Sequence, residues 1–348
     1  MATTLRDVAK RAGVSIATAS RAINSTTSHG VARGTRERIL EVAQHLDYPL
    51  ESKYDRLDTR EGGTANIGLV LDSASNKFTD PFWTPVLGGV DTELTRHGYH
   101  LHVTLTTEEL RLERKRRWLD HAHVDGVIFV GGMRPVADGI DPRRTVAIEG
   151  GGYRIRWDTS LHLDVIAYES RRSMYQVVDH LVTSGRRRLA VLGPPPERDE
   201  RSEAILHALA GHGLSPIAVA SAELPWPESA GADEGYAIAA RLLDEHAGAV
   251  DALVCCWDTL AVGAIRAAKD RGLCLPDDLA ITGFDDIPFA RDLDPALTTV
   301  HVPKALMGEL AARKIIERLG NPDLPPVIQT VPTALVVRAS SGTAATTA

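Results

Sequence analysis

"ALVCCWDTLAVGAIRAAKDRGLCLPDDLAITGFD", residues 252–285, carries the fold class of most of this chain. "ALVCC" is a short unbroken apolar run, the pattern of a strand covered on both faces. "DTLAVGAIRAAKDRG" then reads as an amphipathic helix, and "LAITGFD" as a second covered strand. A strand, a helix and a strand of this kind form a parallel crossover unit, since parallel neighbours cannot be joined by a tight turn.

The unit repeats outward in both directions. "NIGLVL" (66–71), "HLHVTL", "DGVIFVG", "TVAIE", "LDVIA", "RLAVLG" and "PIAVA" are strand candidates. Helical stretches such as "ESRRSMYQVVDHLVTSG" lie between them. Apolar strands separated by amphipathic helices predict doubly wound parallel sheets, an α/β class. More than eight strands predict two such subdomains. A ligand in this architecture sits at the carboxyl ends of strands, in the cleft between the subdomains.

Composition sets the remaining bounds. At 348 residues, with 43% hydrophobic and 24% charged residues, the chain has room for two or three globular domains. No run of about 18 apolar residues marks a membrane span, and "MATTLRDVAKRAG" lacks the apolar core of a secretory signal. A cytoplasmic location is expected. Cys255, Cys256 and Cys274 form neither a CxxC pair nor a disulfide framework and read as small buried apolar side chains. The net charge of -7 is uneven: residues 1–48 hold seven Lys/Arg against four Asp/Glu, so an acidic body follows a basic beginning. That asymmetry suits a chain of which one end meets a polyanion.

The first 48 residues break the α/β pattern. Leu5, Val8, Ala9 and Ala12 fall at helical spacing, Gly13 supplies a stop, and Ser15 stands as the N-cap of "IATASRAIN". Two short helices joined by "AGVS" make a helix-turn-helix, whose second helix can enter a major groove. A third helix follows, with Thr35 as its cap and Ile39, Leu40, Val42, Ala43 and Leu46 on one face. A three-helix cap packed on the main body fits the same pattern.

"LRDVAKRAGVSIATASRAIN…VARGTRERILEVAQHLDY" resembles the DNA-binding head of the LacI/GalR repressors. The likeness runs through Asp7, Ala9, Ala12 to Ser15, Thr18, Ser20, Arg21 and Asn24, then Thr35, Arg36 and Tyr48, with Ala19 where the family more often has Val. It implies that Ile16, Ala17 and Arg21 face base edges. Ile16 and Ala17 offer only apolar contact, whereas Arg21 can fork onto guanine O6 and N7. Ser15, Thr18, Ser20, Asn24, Thr35 and Arg36 are then phosphate contacts. For any of the short hydrogen-bonding side chains a local cap or turn bond competes with that role.

The resemblance also implies a hinge helix in "YPLESKYDRLDTREGGT", formed when two chains meet in the DNA minor groove. Leu57 would be its wedge between base pairs. Leu50, Glu51 and Tyr54 depart from the family's usual Pro, Asn and Ala, and Glu51, Asp55 and Asp58 put negative charge beside phosphates. A tether that never folds is the competing reading.

The carboxyl-terminal half resembles the family's sensor core, which is similar to periplasmic sugar-binding proteins. The expected layout is a head at 1–48, a hinge at 49–63, a core at 64–340 and a disordered tail at 341–348. Within the core, one subdomain spans about 64–162 plus 299–324 and the other about 163–298 plus 325–340. Effector contacts implied by position are Asp72, Phe82, Trp83, Glu149, Arg201, Trp226, Trp257 and Asp285. Carboxylates that accept from hydroxyls, beside flat rings, are the chemistry of a sugar site, although Trp and Phe can also stack a purine. Asp258 reads as a helix cap.

Catalysis is not expected. "EGGGY" (149–153) lacks GxGxxG spacing, "GTANIG" (63–68) has no Walker Lys-Ser/Thr, and the thirteen His form no HExxH. No cofactor and no metal site are implied. The reading is therefore a homodimeric repressor on a pseudo-palindromic operator, controlled by a small effector acting as inducer or corepressor. Its rivals are a sugar-binding module without an operator and a carbohydrate-processing enzyme.

Overall fold

The computed structural model describes residues 5–16, 18, 19, 22, 31–46, 63–71, 79–131, 141–149, 163–221 and 231–342. The chain forms two compact units.

The small unit is helical. Helix α1 (Leu5–Ala12) ends at Gly13, whose φ of +67° turns the chain where a side chain would strain it. Val14 N–H donates back to the Ala9 carbonyl at 3.0 Å, closing that end. Residues 16, 18, 19 and 22 are helical, and α2 (Arg33–His45) follows. Val8, Ala9, Ala12, Ala19, Ala22, Ile39 and Ala43 make one buried cluster, with Val14, Val31, Val42 and Leu46 against it. The small unit thus has its own core, and most of it is alanine, so its helices pack closely. Helix α2 begins two residues before Thr35, which lies within its first turn and does not cap it. Arg33 and Gly34 already adopt helical backbone, so that expectation is corrected.

The large unit contains two parallel sheets. The first has the order β11-β5-β4-β3-β1-β2, built from β1 (Asn66–Leu71), β2 (His100–Thr106), β3 (Gly126–Val130), β4 (Thr145–Ile148), β5 (Asp164–Tyr168) and β11 (Ile328–Val331). The second has the order β7-β6-β8-β9, from β6 (Leu189–Leu192), β7 (Val219–Ala220), β8 (Ala252–Cys255) and β9 (Ala280–Thr282). Every pairing in both sheets is parallel. Helices α3 (Trp83–Arg96), α6 (Arg171–Thr183), α7 (Glu200–Gly211), α8 (Ala232–Glu245), α9 (Asp258–Asp270) and α10 (Lys304–Gly320) cover them. The crossover between β2 and β3 is instead broken into α4 (Thr107–Leu110), α5 (Glu113–Arg116) and a 3-10 turn at Arg117–Leu119. The nine strand candidates of the sequence all form.

Three boundaries differ from the expected layout. Strands β5 and β11 belong to the first sheet, not the second subdomain. The buried Asp164 carboxylate explains why: it accepts from Arg318 Nε of α10 at 2.8 Å and from the Val327 N–H at 2.9 Å, which ties β5, β11 and α10 together. Strand β10 (Thr299–His301), expected in the first subdomain, pairs with β12 (Ala334–Val336), and His301 and the preceding Thr298 bridge to Asp285 and Thr282 beside the second sheet. The chain therefore crosses between subdomains near residues 169, 303 and 332. Ser341, expected in the tail, is buried and bonds His180 Nε2 at 2.8 Å and Thr298 Oγ1 at 2.7 Å. The remaining tail, 343–348, lies outside the described residues. Cys255 and Cys256 are buried as expected, whereas Cys274 is exposed.

Candidate functional site

The carboxyl ends of the two sheets converge on one group of side chains. Asp80 starts α3: its Oδ1 accepts from the Phe82 and Trp83 N–H groups at 2.8 and 3.0 Å. This cap fixes the two rings as an edge-on pair, 4.7 Å between centroids. Phe82 meets Tyr168, at the end of β5, at 6.0 Å, and Tyr168 meets Phe284, after β9, at 5.6 Å. The Arg201 guanidinium lies 5.5 Å from the Phe284 ring and 5.2 Å from the Trp257 ring. Four of the expected effector residues, Phe82, Trp83, Arg201 and Trp257, are thereby joined into one array. The links between them, Tyr168 and Phe284, were not among the expected effector contacts. "VIAY" and "ITGF" each end a buried strand in an aromatic residue, and that was the available signal.

Arg201 is held rigidly. Asp199 caps α7 through Oδ1, accepting from the Arg201 N–H at 2.8 Å, and grips the guanidinium with both oxygens at 3.3 and 3.0 Å. Burial alone would lower the guanidinium pKa, but the surrounding groups, Asp199 foremost, together outweigh it and Arg201 stays charged.

Asp285 and Asp286 follow β9 with φ of 117° and 52°, the left-handed region that non-glycine residues avoid. Each such residue costs roughly 1–3 kcal/mol, tolerated where surrounding structure over-determines it. Here the brace is Lys304, the first residue of α10, whose Nζ donates to the carbonyls of Asp285, Asp286 (3.0 Å) and Val302 (3.2 Å). Asp286 is further fixed by Arg338 at 2.7 Å and His301 at 2.8 Å, so the two adjacent carboxylates diverge. Asp285 is buried, and desolvation pushes its pKa well up despite the charges of Arg201 and Lys304. Asp258 corrects an expectation. Trp257 occupies the N-cap position of α9, and the fully buried Asp258 carboxylate binds the Thr299 hydroxyl at 2.5 Å and the Ile287 N–H at 2.9 Å. It joins the loop after β9 to the first residue of β10 rather than capping a helix. Gly283 is required beside it, because a Cβ there would run into the Asp258 carboxylate. Burial raises the Asp258 pKa to about 7.

Glu149 follows β4 and enters the site through charge: burial, then repulsion from Glu200, raises its pKa from 4.5 to about 7. An acid raised on folding loses stability as pH climbs from its unfolded to its folded pKa, here from about 4.5 to about 7. The full difference is on the order of 3 kcal/mol. Glu149→Gln should therefore leave stability at pH 4.5 nearly unchanged and raise it at pH 8, by up to that amount. Urea titrations at the two pH values check this, and an equal effect at both would refute it.

In the small unit, the Ser15 hydroxyl accepts from the Thr18 N–H at 3.1 Å and bonds its hydroxyl at 2.8 Å, so both are already engaged in a local cap. Ile16 is 45% exposed, which leaves its side chain free for contact. Thr35 is half-buried. Ala17, Ser20, Arg21, Asn24, Leu57, Asp72 and Trp226, and the side chain of Arg36, lie outside the described residues.

Known proteins share both halves of this arrangement. Residues 4–49 match the family described as bacterial regulatory proteins, lacI family, and residues 178–341 match the periplasmic binding protein-like domain. The ribose operon repressor of Haemophilus influenzae is 30% identical over 92% of this chain and 93% of its own length. The HTH-type transcriptional regulator reg1 of Streptomyces lividans is 32% identical over 99% of this chain and 98% of its own. A solved complex of the transcriptional regulator CelR with cellobiose superposes with a TM-score of 0.69, at 26% identity over 97% of this chain and 99% of that one. The chain thus belongs to the lacI family of bacterial regulatory proteins, and it is a ligand-controlled, DNA-binding transcriptional regulator rather than an enzyme.

Proposed function

We propose that the chain acts in the cytoplasm as a homodimeric repressor whose operator affinity is set by a sugar or sugar derivative in the cleft between the two sheets. The carrying observation is the array of Phe82, Tyr168, Phe284 and Trp257 around the charged pair Asp199–Arg201, beside the strained Asp285. Ring faces accept the C–H surface of a pyranose, while Arg201 donates to its hydroxyl oxygens and Asp285 and Glu149 accept from its hydroxyls. Asp72 and Trp226 complete the proposed contacts. A polyhydroxy ligand also suits the proton held by Glu149 near pH 7, since it can be matched without adding charge. The relatives named for ribose and cellobiose support the same class. Among the described residues no helix is long and apolar enough to cross a membrane.

In the head, Arg21 reads guanine, Ile16 and Ala17 meet apolar base edges, and Ser15, Thr18, Ser20, Asn24, Thr35 and Arg36 hold phosphates. Leu57 is the wedge of the hinge. Effector binding changes operator affinity only through its differential affinity for two arrangements of the core, typically about 1–3 kcal/mol of coupling. The test is selection from randomised duplexes with the full chain, which should enrich a two-fold symmetric motif. Arg21→Ala should then lose about 10- to 100-fold of its preference for that motif over scrambled duplex, with ligand binding intact. Failure to enrich a symmetric motif, with and without a panel of mono- and disaccharides, would overturn the proposal.

A further inference from the structure

The broken crossover between β2 and β3 leaves the first sheet incompletely covered. A helix packed on this sheet face needs apolar residues at i, i+3, i+4 and i+7. From Leu110 the corresponding positions are Glu113, Arg114 and Arg117, so no continuous helix can bury a stripe there. The segment folds as two four-residue helices and a 3-10 turn, and only Leu110 and Leu119 reach the apolar cluster beneath. A cavity of about 120 Å³ remains between this thin cover and strands β3 and β4. It lies against Val127 and Phe129 of β3 and Thr145 at the start of β4, whereas the sugar site gathers around residues that follow the strands.

The lining is not that of a packing defect. Leu110, Leu119, Val127 and Phe129 form an apolar wall, but Arg144 also faces the cavity and is only 5% exposed. Its Nη2 donates to the Leu119 and Val124 carbonyls at 3.1 and 2.6 Å. Its Nε and Nη1 have no hydrogen-bond acceptor among the described residues. A buried guanidinium remains charged, and its unused donors in a concave site call for an anion. Arg116 and His121 also border the space, as do the exposed carboxylates of Asp120 and Asp141. Asp141 is already occupied as the cap of the 3-10 turn at Pro142–Arg144. The three carboxylates that act on this buried guanidinium, Asp141, Asp125 and Asp120, repel multiply charged anions more than singly charged ones, since the Coulomb term grows with ligand charge.

We propose that this cavity is a second ligand site, separate from the sugar cleft, that takes a small organic monocarboxylate. The carboxylate would accept from Nη1–H of Arg144, with its carbon body against Val127 and Phe129.

The test uses the full chain, methyl-labelled, at constant ionic strength made up with sodium chloride. Propionate should shift the methyl resonances of Leu110, Leu119 and Val127 saturably, leaving Ile287 near the sugar cleft unmoved. Propionamide, of the same shape without charge, should shift them at least tenfold less at equal concentration. Arg144→Gln should abolish the response. Because that variant also loses the bonds to Leu119 and Val124, Leu119→Phe serves as the independent case: it fills the space, keeps Arg144 and should also end the response. The proposal is overturned by non-saturating propionate shifts, by an equal response to propionamide or inorganic phosphate, or by an undiminished response in Leu119→Phe.

Discussion

Asp199→Ala is expected to remove about 3–5 kcal/mol of stability, the cost of leaving a buried charge without its partner. Asp199 is fully buried, and Arg201 is 4% exposed and gripped by both carboxylate oxygens. The same substitution strips the cap from α7, where Oδ1 also receives the Ser202 N–H at 3.3 Å. A lost cap alone accounts for about 1 kcal/mol. Removing both charges in Asp199→Ala/Arg201→Met should recover a good part of the loss, since the penalty lies in the unpaired ion rather than in the absent bridge. Ligand response should fail in both variants, because neither presents a fixed guanidinium between Trp257 and Phe284. Denaturant unfolding of the three proteins decides the matter. A single variant within 1 kcal/mol of wild type would mean that Arg201 reaches solvent or another anion.

Lys304→Met should be nearly as costly, and its cost should depend on pH. Lys304 is buried, braces the carbonyls of Asp285 and Asp286 in their left-handed conformation, and is a cation acting on the carboxylates of Asp258 and, after Arg201, of Asp285. Without it, desolvation acts on both carboxyls unopposed by this charge, and their folded-state pKa values rise further. Acids raised on folding lose stability as pH rises. The variant should therefore be destabilised by about 3–5 kcal/mol at pH 8 and distinctly less at pH 5, where the carboxyls are protonated. Parallel urea titrations at those pH values test this. A pH-independent loss would assign the effect to packing of the Lys304 stem against Phe82, whose ring centroid lies 5.8 Å from Nζ.

Phe82, Trp83, Arg201 and Trp257 were implied by the resemblance to the family, position by position, and the structure brings these four side chains together. Each sits at a strand-to-helix junction, and such junctions are visible as a change from an unbroken apolar run to helical spacing. Asp199, Lys304, Tyr168 and Phe284 were not read in this way. Asp199 looks like one acid among several in "PPPERDERSE", and Lys304 like an ordinary first-turn residue. Their importance comes from what stands opposite them: Arg201 for one, and carbonyls 18 and 19 residues away for the other.

Local pattern alone determined that this chain is a small helical head followed by alternating strands and helices, because periodicity and caps are properties of neighbouring residues. It could not determine which sheet each strand joins. Strands β5 and β11 carry the same apolar signature whichever subdomain receives them, and a parallel strand covered on both faces has no outward side to betray its place. That choice was made in three dimensions, by the Asp164–Arg318 pair that binds two distant segments to one sheet. The cleft, and with it the grouping of its aromatic and charged side chains, exists only once those assignments are made.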